Sequence, residues 1–203
     1  MADARVERRL AAILAADVAG YSRLMGSDDE GTLARLKACR EVIALKSKEY
    51  RGRIVNTPGD SALIEFASAV DAARCALEIQ KEMTERNTAV PEDRRIEFRI
   101  GINVGDVIID DGGDIFGDGV NIAARLEGIA EPGGISVSED AYRQLRGKID
   151  VIFQDSGNQE LKNIDHPIRV YRAEFGKAGL RLTSNRSSTP DRASIAVLPL
   201  ASS

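Results

Sequence analysis

The sequence predicts an α+β fold, a ferredoxin-like βαββαβ core with additional strands and helices. Three observations predict it. Short apolar runs that stop at Asp or Gly alternate with longer stretches whose apolar residues recur at helical spacing. "GRIVNTPGDSALIEF" reads as two strands around a tight turn, so the sheet holds an antiparallel hairpin. "RRIEFRIGINVGDVIID" alternates Ile96, Phe98, Ile100 and Ile102, the period of two that marks a strand with one covered face.

"RRLAAILAADVAGYS" is a small apolar run ending at Asp17 ahead of Gly20, a buried strand that stops in a tight turn with a carboxylate at its end. "SDDEGTLARLKACREVIALKSKEYRG" puts Leu33, Leu36, Val42, Ile43 and Leu45 at helical spacing, with Ser27 as N-cap and Gly52 as the stop. In the hairpin, Ile54 and Val55 face Leu63, Ile64 and Phe66 across a Pro58-Gly59-Asp60 turn. "SAVDAARCALEIQKEMTERN" carries Val70, Ala73, Leu77, Ile79 and Met83 on a helical stripe that Pro91 closes. Gly101 and Gly105 in the next strand predict a bend or bulge. "GDIFGDGVNIAARLEG" is an acidic turn leading into a helix with Asn121 and Arg125 on one face. "GGISVSEDAYRQLRG" adds a short strand and helix, and "KIDVIFQDSG" and "HPIRVYRAEFG" add two strands. One domain is expected over residues 8–175. Residues 176–203, rich in Ser, Thr, Arg and Pro, read as a linker or disordered tail, with "SIAVLPLASS" as the start of a following domain.

Composition narrows the function. With 43% hydrophobic and 30% charged residues in 203 the chain reads as a globular domain, and 28 basic against 32 acidic side chains exclude a nucleic-acid partner. No stretch approaches the roughly 20 apolar residues of a membrane span, and the opening lacks a secretory pattern, so a cytoplasmic location is expected. Cys39 and Cys75 lie within amphipathic helices without Cys or His at ligand spacing, and read as core thiols. His166, the single histidine, precedes Pro167 in a surface loop. Any chemistry therefore falls to carboxylates, amides, Lys, Arg or metal ions.

Asp17 and Asp60 repeat one design, an acid at a glycine-flanked strand end. Each alone would serve as an ordinary turn residue. Together they suit a divalent cation such as Mg2+, which takes one or two carboxylates and leaves its other positions to water and phosphate. The backbone of Val18, Ala19, Gly20 and Tyr21 could turn its N–H groups toward a triphosphate. Asn121 and Arg125, which would otherwise be a solvated helix face, have the chemistry to steady charge at phosphorus.

"AADVAGYSRLM", "NTPGDSALIEF", "FRIGINVGDVI" and "GDIFGDGVNIAARLEGIAEPGGI" together resemble the class III nucleotide cyclase catalytic domain, from about Arg8 to Phe175. The resemblance implies that Asp17 and Asp60 hold two metal ions, Mg2+ or Mn2+. It implies that Asn121 and Arg125 assist the transition state and that Lys162 meets the terminal phosphates, although Asn163 stands where the family has glycine. Asp114 matches the purine-reading position, where Asp accompanies adenine and Cys guanine. Asn56 departs from the pattern: it replaces the lysine of adenylate cyclases and the glutamate of guanylate cyclases. The implied activity is ATP to 3′,5′-cyclic AMP and pyrophosphate by two-metal-ion catalysis, at composite sites of a homodimer in which one protomer gives the aspartates and its partner the Asn and Arg. The same residues leave two alternatives open, a nucleotide-binding regulatory module with little turnover and a guanylate cyclase.

Overall fold

The computed structural model describes residues 7–174. Strand β1 (Glu7–Val18) leads through helices α1 (Tyr21–Ser27) and α2 (Asp29–Glu49) to the hairpin β2 (Arg53–Asn56) and β3 (Ala62–Phe66). Helix α3 (Ala69–Asn87) returns to β4 (Phe98–Ile109), which completes the βαββαβ unit. The additions are β5 (Ile115–Phe116), α4 (Asp118–Gly128), β6 (Ile135–Ser138), α5 (Glu139–Leu145), β7 (Phe153–Gln159) and β8 (Ile168–Ala173). All strands join one sheet in the order β2-β3-β1-β4-β6-β8-β7, with β5 paired to β4. Among the described residues, β4 and β6 form the one parallel pair.

From Ala11 onward strand β1 is covered on both faces, which is why its sequence there is a continuous apolar run rather than an alternation. Ala12, Leu14, Ala16 and Val18 face the α2 and α3 side, against Leu36, Ile43, Ile79 and Met83. Ala11, Ile13 and Ala15 face the other side with Val107, Ile115 and Ala123 of α4. Cys39 and Cys75 are buried thiols as expected, pushed up to about 11 and about 12 by burial. His166 is exposed in the loop before β8.

The structure corrects several local expectations. Ser27 is not an N-cap: it ends α1, its hydroxyl donating to the carbonyl of Arg23. Asp28 caps α2 instead, accepting the Gly31 N–H at 2.9 Å. Leu33 and Leu45 are 43% and 64% exposed, because Leu36, Val42 and Ile43 occupy the inward face and Leu45 falls on the opposite side of α2 from Ile43. Nor is there a bend or bulge at Gly101 and Gly105, since β1 and β4 pair without interruption from Glu7 opposite Ile109 to Val18 opposite Phe98. The glycines are the seat of α4. A Cβ on Gly101 would lie 2.2 Å from the Ala123 carbonyl oxygen and 2.3 Å from the Glu127 nitrogen, and one on Gly105 would lie 2.9 Å from Gly119 Cα. A register shift occurs instead in β2, between Ile54 and Asn56. The expected linker or tail, residues 176–203, lies outside the described residues. Among the described residues, no helix is long and apolar enough to cross a membrane.

Candidate active site

The acidic residues assemble at the end of β1. Asp17 is its penultimate residue, and Asp60 stands in the β2–β3 turn next to Gly59, whose φ of 58° lets the chain reverse. The turn is fastened by Arg40 of α2, which donates to the carbonyls of Thr57 and Gly59. Ser61 donates its hydroxyl to Asp17 Oδ1 at 3.0 Å, and Arg99 of β4 donates to Asp17 Oδ2 at 2.8 Å. Asp60 is raised above the ordinary carboxylate range, first by burial and then by the Asp17 carboxylate beside it. Glu127 of α4 lies 3.4 Å from Arg99 and is raised to about 7, by burial first and then by the charge of Asp17, with Arg99 opposing.

A carboxylate held up by burial and by its neighbour's charge, as Asp60 is beside Asp17, marks a site short of positive charge. Among the described residues no three or more His, Cys, Asp or Glu gather as a complete metal cage. That donor set fits Mg2+ or Mn2+ better than a structural ion, because such ions are bound through one or two carboxylates and complete their shell with water and substrate phosphates.

Past Asp17 the chain turns through Val18 and Ala19 to Gly20, whose φ of 67° begins α1, and Tyr21 packs half-buried against the main core. Not all of this backbone is free to face phosphate. The Ala19 N–H donates to the Glu97 carbonyl at 2.8 Å and the Val18 N–H donates to the Asp60 carboxylate, which corrects the expectation for those two residues. Tyr21 and Ser22 open α1, where N–H groups have no carbonyl a turn earlier to bond.

Asn121 and Arg125 do not join this cluster. Both are exposed on α4, one turn apart, projecting about 120° and 160° around the helix axis from Glu127. Buried Asn103 fixes the start of the helix by donating to the Gly119 carbonyl at 3.0 Å. Arg125 Nε donates to the carbonyl of Lys162 at 3.1 Å, so Arg125 and exposed Lys162 share one side of the molecule. Asn163, where glycine was expected, has φ of 62°, the left-handed conformation glycine adopts freely and asparagine tolerates.

Asn56 and Asp114 are both exposed. The extra residue of the β2 bulge sets Asn56 opposite Leu63, on the sheet face that carries Arg53 and Glu65. Asp114 closes the turn between β4 and β5, its N–H donating to Asp110 Oδ1 at 2.9 Å. Arg40, Ser61, Arg99 and Glu127 were not singled out from sequence. Only Arg99 left a trace there, as a cation on a strand otherwise alternating toward an apolar face.

The sheet order and its helices are those of the class III cyclases. The adenylyl cyclase CyaB from P. aeruginosa superposes with a TM-score of 0.75 over 87% of this chain and 99% of that one, at 22% identity, a likeness of fold. The chain belongs to the adenylate and guanylate cyclase catalytic domain family, whose profile matches residues 8–173. It is 50% identical to the Adenylate/Guanylate Cyclase/Hydrolase from Silicibacter pomeroyi, with a TM-score of 0.75 over 82% of this chain and 97% of that structure. It is 43% identical to "Putative adenylate cyclase 3" of Rhizobium meliloti (strain 1021) over 98% of this chain and 35% of that protein. It is 36% identical to an adenylate cyclase of Streptomyces coelicolor over 69% of this chain and 35% of that protein. The chain thus spans about a third of the length of these curated relatives.

Proposed function

We propose that two copies of this domain convert ATP to 3′,5′-cyclic AMP and pyrophosphate, an adenylate cyclase reaction, at sites shared across a homodimer. One observation carries the reading: α4 turns Glu127 toward the Asp17 cluster and presents Asn121 and Arg125 elsewhere, so one chain holds two half-sites facing different ways. A two-fold dimer joins each acidic half to the partner's amide and guanidinium, giving two equivalent sites.

Asp17 and Asp60 would hold two divalent ions, Mg2+ or Mn2+, which when bound lower the pKa of the ribose hydroxyl and neutralise charge on the phosphates. The chain's own groups do the rest. Asn121 orients the ribose so that its 3′ oxygen meets the α-phosphorus in line, Arg125 takes up charge as the bond to pyrophosphate breaks, and Lys162 pairs the terminal phosphates. Gly20 and Tyr21 contribute the N–H groups that Val18, hydrogen-bonded to Asp60, and Ala19, hydrogen-bonded to Glu97, do not. Asp114 and Asn56 face the purine. Asp114 accepts from the exocyclic amine of adenine, while Asn56 offers a donor and an acceptor without charge, so preference for ATP over GTP is weaker by about 1 to 2 kcal/mol than a charged partner would give. ATP as substrate and buried free thiols fit a cytoplasmic location.

The shared site is tested by mixing. Asp17→Ala and Arg125→Ala chains, each inactive alone, should regain about a quarter of the wild-type rate when mixed equally, because half the dimers hold one intact site of two. Heterodimers that form without any recovery overturn the reading. Asp60→Ala should abolish product while the far-ultraviolet circular dichroism is unchanged. Turnover of ATP and GTP side by side decides the nucleotide, and product from neither favours a regulatory module.

A further inference from the structure

The exposed turn that carries Asp114 is tied to the strand that carries Asn56 by a single side chain. Glu65 of β3 has a side chain only 5% exposed, held between Arg9 of β1 at 2.6 Å and Arg53 of β2 at 2.7 Å. Arg53 Nε also donates to Glu65, at 2.9 Å, and the remaining arm of the guanidinium, Nη1, donates to the carbonyl of Gly113 at 2.6 Å. Gly113 is the residue before Asp114, with φ of 85°, in a turn closed from within by Asp110, whose Oδ1 accepts the N–H groups of Gly112 and Asp114.

We infer that Arg53 is a positioning residue for purine choice, clamping the Asp114 turn to the Asn56 strand. The inference rests on the proposal that Asp114 and Asn56 face the base. The buried carboxylate of Glu65 fixes two of the three nitrogens of the fork, which leaves the third aimed at one backbone oxygen. The β2 bulge places Asn56 on the same sheet face as Arg53, so the clamp and the amide act from one side. An aspartate that must accept from one exocyclic group and reject another discriminates only if its backbone is held still; Asp110 closes this exposed turn from within, and Arg53 ties it to β2. Lysine could keep the charge next to Glu65 but lacks a rigid fork able to engage Gly113 at the same time.

The test compares Arg53→Ala, Arg53→Lys, Asp114→Ala and the Arg53→Ala/Asp114→Ala double variant. The readouts are equilibrium binding of ATP and GTP, kcat/KM for each, and Tm. The ATP-over-GTP ratio should fall about fivefold to tenfold in both Arg53 variants, mainly through KM and binding. Arg53→Lys, which keeps its charge next to Glu65, should melt close to wild type, which separates positioning from stability. In the double variant, loss of Arg53 should change the ratio no further than Asp114→Ala already does. An unchanged ratio in the Arg53 variants together with a collapsed ratio in Asp114→Ala overturns the clamp and leaves the purine reading standing. An unchanged ratio in Asp114→Ala overturns the purine reading and the clamp with it.

Discussion

Glu127 shows how one residue reports on its neighbours. Its carboxyl is raised from 4.5 to about 7 by burial and then by the charge of Asp17, more than Arg99 can offset. Between those values the folded chain holds a proton that the unfolded chain has released, so stability falls as pH rises through that window. In metal-free buffer, urea unfolding from about pH 5 to pH 8 should show this loss, and Glu127→Gln should flatten it. Equal slopes in the two proteins would remove Glu127 as the cause. Asp60, raised by burial and by the carboxylate of Asp17, has the same sign and a second consequence. Mg2+ or Mn2+ should raise Tm without any nucleotide, and this increment should vanish in Asp17→Asn. At this scale the sequence was informative where a residue's own chain neighbours define it: Asp17 and Asp60 at glycine-flanked strand ends, and Cys39 and Cys75 within apolar stripes. Arg99 and Glu127 could not be found that way, because Arg99 meets Asp17 across 82 positions of chain.

Among the elements, α4 depends on what is missing beneath it. Gly101 and Gly105 read as a bend because glycine weakens a strand, yet their strand is regular and the helix backbone rests on them. Gly101→Ala should cost about 3 kcal/mol in denaturant unfolding, since the new methyl meets backbone that cannot step aside. A loss below about 1 kcal/mol would show that α4 moves freely, and its orientation would then be no guide to where Arg125 points. The seven-residue α1 was missed for a related reason: too short to show a stripe, it is set by Gly20 and by packing of Leu24. Its presence moved the N-cap of α2 from Ser27 to Asp28, whose carboxylate accepts from Gly31 and pairs with Arg35.

For the whole molecule, the reading requires two chains. Specific activity should therefore fall on dilution as dimers dissociate, and crosslinked dimers should resist that fall. Activity per chain that is independent of concentration down to the point where sedimentation shows only monomer would end the shared-site account. The βαββαβ order, the hairpin and the long helices were determined by the linear sequence, because periodicity, caps and turn residues act over a few positions, where chain connectivity guarantees contact. The chemical inventory was legible for the same reason: one histidine, two buried thiols, and acids at strand ends. Which of those groups meet was set by packing between segments far apart in the chain. That packing set Arg99 on Asp17, Arg53 on Gly113, and the β2 bulge under Asn56, and it turned Arg125 away from the aspartates of its own chain. Such juxtapositions depend on strand register and helix rotation, which are fixed by packing between distant segments, where a single residue of slip would reverse every side chain's face.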